Sequence, residues 1–113
     1  MHPIEHLRYV ARAHGADPVE VATGAADALA GISRDPAAAL VSARRLVEHH
    51  PTNAPLWSVC AHAVTSMDPY HDVDDLARRI SNDSTATNLV DALDGASTIC
   101  MIGWSGHLVD ALA

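Results

Sequence analysis

Lysine and phenylalanine are both missing from this chain of 113 residues. Without lysine, the positive charge rests on seven arginines, of which only Arg44-Arg45 and Arg78-Arg79 are adjacent. Nucleic acid and anionic membranes are held by clusters of Lys and Arg that neutralise phosphates, so both are disfavoured as partners. Aromatics reduce to Tyr9, Trp57, Tyr70 and Trp104. A core made this way depends on Leu, Val and Ile knobs set among alanines. No window reaches the ~20 apolar residues of a membrane span. No basic-then-apolar leader opens the chain either, because Glu5, Arg8 and Arg12 interrupt its first apolar stretch. Cysteine is limited to Cys60 and Cys100, without CxxC spacing, which reads as free thiols in a reducing, cytoplasmic compartment.

The acids are abundant and unevenly spread. Residues 1–50 hold five Arg against six acids, a balance of −1; residues 51–113 hold two Arg against eight Asp, a balance of −6; together they give the −7 of the whole chain. Alanine supplies much of the 49% hydrophobic content. It has the highest intrinsic helix propensity, so a mainly helical fold follows.

Proline and glycine punctuate the helices. A first helix runs from about Pro3 to His14, and Gly15 stops it. Asp17-Pro18 and Asp35-Pro36 each pair a side-chain cap with a residue lacking the amide that would otherwise go unpaired. They open a second helix with Val21, Ala25, Ala28 and Leu29 inward, and a third with Leu40, Val41, Ala43, Leu46 and Val47 inward. Pro51 forces a break at residues 50–52. Thr52 or Asn53 caps a fourth helix, whose stripe Leu56, Val59, Cys60, Ala63, Val64 and Met67 is the strongest in the chain. A fifth spans about His71 to Ile80, with Asp72, Asp74 and Asp75 early and Arg78 and Arg79 late, as the macrodipole favours. A sixth runs from about Thr85 to Leu93.

The pattern changes at Gly95. Thr98 to Ile102 is a continuous apolar run between Gly95 and Gly103, which reads as a strand buried on both faces. Trp104-Ser105-Gly106 and the stripe Leu108, Val109, Leu112 follow as a turn and helix. The predicted architecture is a multi-helix domain over 1–94, then the first β-α element of a truncated Rossmann-like α/β domain over 95–113. A lone strand leaves ladder amides and carbonyls unpaired. Either a missing α/β domain completes it, or a homodimer forms in which Ile99 and Ile102 pair across the sheet and Leu108, Val109 and Leu112 pack, or the segment is helical or loose; the missing domain is the simplest.

Among polar constellations, His2 and His6 lack the third and fourth ligands of a metal site. His49 and His50 diverge on a regular helix. Asp72, Asp74 and Asp75 lack the glycine and distal glutamate of a calcium loop. Cys60 and His62, two apart on a helix, do not face each other. No metal, cofactor or catalytic residue is expected. The Gly103–Gly106 turn offers helix-terminal amides to an anion, against the alternative of a tight turn that merely needs glycine.

The order of features resembles the initiation factor 2B subunit and sugar-phosphate isomerase group, which includes methylthioribose-1-phosphate and ribose-1,5-bisphosphate isomerases. Two stretches carry the likeness. His50-Pro51-Thr52, with Leu56 beyond it, is similar to that group's Arg-Pro-Thr motif entering a helix, and Thr98 to Leu108 is similar to its first strand and serine-containing turn. The resemblance implies a helical front domain, a following α/β domain that dimerises, and a phosphorylated sugar held near His50, Thr52, Trp104, Ser105 and Gly106. The departures weaken that last implication. His50 lacks the guanidinium fork of the motif's arginine, and Pro55 replaces its asparagine. The group's catalytic cysteine and aspartate would fall beyond Ala113. The leading expectation is thus a non-catalytic binding or regulatory domain. An aldose–ketose isomerase in a longer native chain, and a free-standing helical adaptor dimerising through its strand, are the alternatives.

Overall fold

The computed structural model describes residues 2–103 and 105–113. These form seven helices: α1 Pro3–Arg12, α2 Pro18–Gly31, α3 Pro36–His49, α4 Ala54–Thr65, α5 Pro69–Ser81, α6 Thr85–Ala92 and α7 Gly106–Leu112. Two compact units divide after Ser81, so α1–α5 belong to the first and α6–α7 to the second.

The Asp-Pro pairs behave as the sequence predicts. Asp17 Oδ1 accepts from the Val19 amide at 2.8 Å and Asp35 Oδ1 from the Ala38 amide at 3.1 Å. At the head of α4 the cap is Asn53, whose Oδ1 accepts from the Leu56 amide at 3.0 Å. Asn53 is itself buried, and its Nδ2 donates to the Pro18 carbonyl at 3.0 Å. One side chain therefore starts α4 and ties it to the first turn of α2. At α1 the expected end at His14 is drawn back to Arg12, and Gly15 follows with φ +80°.

Helix α2 is the centre of the first unit and packs on α1, α3, α4 and α5. Four of its six buried residues are alanines, Ala22 and Ala25 fully buried and Ala26 and Ala28 nearly so, beside Val21 and Leu29. Small side chains let the neighbouring helices come close, and Leu29, Leu46, Leu56, Val59 and Val73 fill the space between them. At the end of α2 the approach is tightest: a Cβ on Gly31 would lie 2.8 Å from Pro3 Cγ.

The structure corrects some of the inward stripes. On α3 only Ala39, Ala43 and Leu46 are buried, whereas Leu40 and Val41 are exposed. This helix lies against α4, α1 and α2, and those contacts consume one narrow face. On α4 the stripe closes at Ala63, and Val64 and Met67 are exposed.

The larger correction concerns residues 98–102. They form no strand, the described residues contain no sheet, and the β-α element of a Rossmann-like domain is absent among them. A strand exists through hydrogen bonds to a neighbouring strand, and every other described element of this chain is a helix. The apolar run is instead a connection between α6 and α7, bounded by glycines in the left-handed region, Gly95 at φ +80° and Gly103 at φ +82°.

In the second unit α6 and α7 pack on each other, and His107 Nδ1 lies 3.5 Å from Asp83 Oδ2. Asp83 also holds the start of α6, accepting from the Thr85 hydroxyl at 2.9 Å. Neither helix buries a single residue.

Candidate interaction surface

The residues expected to hold a sugar phosphate are divided between the two units. His50 ends α3, and its Nε2 lies 2.8 Å from the Val10 carbonyl oxygen. A carbonyl can only accept, so Nε2 carries the proton and is committed to the protein's own backbone. Thr52 lies on the exposed turn into α4. Ser105 and Gly106 open α7 in the other unit, where the Ser105 side chain makes no cap bond. Trp104 lies outside the described residues.

The polar constellations likewise keep to structural work. His2 Nδ1 accepts from the Ile4 amide at the start of α1, while His6 approaches Asp27 at 3.7 Å. Arg78 and Arg79 take up Asp74 and Asp75 in i,i+3 and i,i+4 pairs, and the Ser66 hydroxyl bonds Asp72. Cys60 and Cys100 are both free thiols. Burial pushes the Cys60 thiol up to about 12, so it is protonated and unreactive at neutral pH. Among the described residues no group of three His, Cys, Asp or Glu side chains is placed to hold a metal ion, and no helix is long and apolar enough to cross a membrane.

One polar grouping was invisible to spacing. His14, from the loop after α1, brings its ring to 6.3 Å from that of His49 and 5.6 Å from that of His50, centroid to centroid. Residues 35 positions apart in sequence carry no periodic signal, and only the packing of α1 on α3 brings them together.

Two surfaces present exposed apolar side chains. The first belongs to the 82–113 unit, where Val90, Ile99, Ile102 and Leu112 are exposed, Ile102 at 97%. Leu108 and Val109 are half-buried. Four aspartates (Asp83, Asp91, Asp94 and Asp110) stand in the same 32 residues with no arginine, a balance of −4. The second is a groove between α1 and α3, lined by exposed Ile4 and Val41 over buried Leu7 and Leu46, together with Arg8 and Arg45. It continues past the same Ile4 and Val41 toward Arg34 and Ile32. Helices α1 and α3 are the only two described helices of net positive charge: α1 has two Arg and one Glu, α3 has two Arg and one Glu, so each is +1.

No protein-family model, curated protein or solved structure matches this chain.

Proposed function

We propose that this chain is a non-catalytic helical binding or regulatory module, in which residues 1–81 supply a self-sufficient body and residues 82–113 supply the element that binds. The single observation behind this reading is the contrast between the two units. The first closes a core of its own, while the helices of the second bury nothing and leave Ile102 almost wholly in water. Units below about 40 residues are rarely stable without a disulfide, a metal or a partner. The 82–113 unit has neither a disulfide nor, among its described residues, a metal cluster. Contacts from outside the unit, such as a partner's, would supply what its own helices lack.

The helical order and the His50-Pro51-Thr52 entry into α4 support placing this module with the front domains of initiation factor 2B subunits and the related sugar-phosphate isomerases. Sugar-phosphate binding itself gains no support from His50, whose ring is spent on the Val10 carbonyl.

Amide hydrogen exchange on the dilute, monomeric chain tests the reading. Amides of α2 and α4 should exchange slowly and those of α6 and α7 rapidly, because only the first unit is closed by its own contacts. Protection of α6 and α7 equal to that of α2 would mean that the second unit needs no partner, and would sink the proposal.

A further inference from the structure

Resting on that reading, the structure also points to the partner. We infer that it is a second copy of this chain: the 82–113 unit of one copy seats in the α1–α3 groove of the next, its exposed Ile99 and Ile102 covering Ile4 and Val41, its aspartates facing Arg8, Arg34 and Arg45.

Charge decides between the possible modes of pairing. Two 82–113 units set face to face would bring four aspartates against four more with no arginine in either unit, and like charges at a contact oppose association. The α1–α3 groove has the opposite character. Its lining includes apolar Ile4, half exposed, and Val41, exposed at 66%, together with the guanidinium groups of Arg8 and Arg45. The one carboxylate lining its extension, Asp35, is engaged by the Ala38 amide at the head of α3. Each surface supplies what the other lacks: apolar cover for exposed Ile and Val side chains, and opposite charge at the rim. The contact joins different patches on the two copies, so it is head-to-tail, and an assembly that does not close into a ring leaves one unit and one groove free at its ends.

Sedimentation velocity on the full chain tests this. The wild type should associate as concentration rises toward about 0.5 mM, as a contact of modest area would. Raising salt from about 50 to about 500 mM should weaken association roughly fivefold. Val41→Glu spoils the groove and Ile102→Lys spoils the unit; both positions are exposed, and circular dichroism will confirm that each variant folds. Each variant alone should be monomeric, and their mixture should form a one-to-one dimer that grows no further. A wild type that stays monomeric at about 0.5 mM overturns the inference. So does a Val41→Glu variant that associates like the wild type, which would signal symmetric pairing through 82–113, and so does a mixture that remains monomeric. A monomeric wild type whose α6 and α7 amides still exchange rapidly would reject self-association while leaving the binding-module reading intact.

Discussion

His50 donates its Nε2 proton to the Val10 carbonyl oxygen at 2.8 Å, joining the end of α3 to the last turn of α1 across 40 residues of sequence. The same carbonyl receives the Ala13 amide at 3.2 Å, so it closes α1 and anchors α3 together. His50→Ala should cost about 1 kcal/mol, the net worth of one hydrogen bond. That is a fall of roughly 5 °C in Tm for a domain of this size, measurable by calorimetry. An unchanged Tm would show that the bond contributes nothing.

Asn53 carries more, because its two polar ends do different jobs. Asn53→Ala removes the cap of α4 and the strut to Pro18 at once, and should lose roughly 2–3 kcal/mol in urea denaturation. Asn53→Asp keeps the cap acceptor, yet it sets a carboxylate against the Pro18 carbonyl in place of a donor. If capping were the only role, Asp would be neutral; we expect it to be nearly as harmful as Ala.

The two thiols should separate cleanly under a thiol reagent at neutral pH. Cys100 is exposed and should label in the native state, whereas buried Cys60 should label only on unfolding. Burial holds the folded Cys60 pKa at about 12 against an ordinary 9.0. A raised folded value means that the native state keeps its proton more tightly than the unfolded chain. The resulting stabilisation is therefore fully present below pH 9 and is lost as pH rises from 9 toward 12. Urea midpoints at pH 8 and pH 10.5, for wild type and Cys60→Ala, should show a steeper decline in the wild type. Equal declines would remove Cys60 as the cause.

Gly31→Ala should destabilise the protein by about 1–2 kcal/mol, the usual cost of overpacking a tight site. The new methyl would meet the ring of Pro3, which is too stiff to swing aside, and α1 would have to shift. A gain in stability on thermal melting would show that helix propensity at the end of α2 outweighs the contact.

Much of the first unit was legible because its signals are local. Asp17-Pro18 and Asp35-Pro36 are a cap and a missing amide in adjacent residues, and Pro51 must break whatever precedes it. The exposure of Leu40, Val41, Val64 and Met67 was not legible. Periodicity reports which side of a helix is apolar, but not how much of that side a neighbour will cover. The run 98–102 misled for a related reason. β-branched, apolar residues favour a strand only where another strand supplies the ladder, and composition does not reveal whether one is present. The candidate site fared less well. The Arg8–Arg45 edge joins residues on two helices, as the His14–His50 approach joins a loop to a helix end, and neither leaves a trace in spacing.

The alanines of α2 have a consequence for which substitutions this chain tolerates. Ala22, Ala25, Ala26 and Ala28 are nearly or wholly inaccessible. They contribute little apolar area themselves, and their smallness sets how near α4 and α5 can lie. Such positions act as upper limits on size rather than as anchors. Sequence change along this helix should therefore run in one direction: Ser or Gly admitted at modest cost, Val or Leu refused, and the neighbouring leucines held constant because no larger residue across from them can take up their volume.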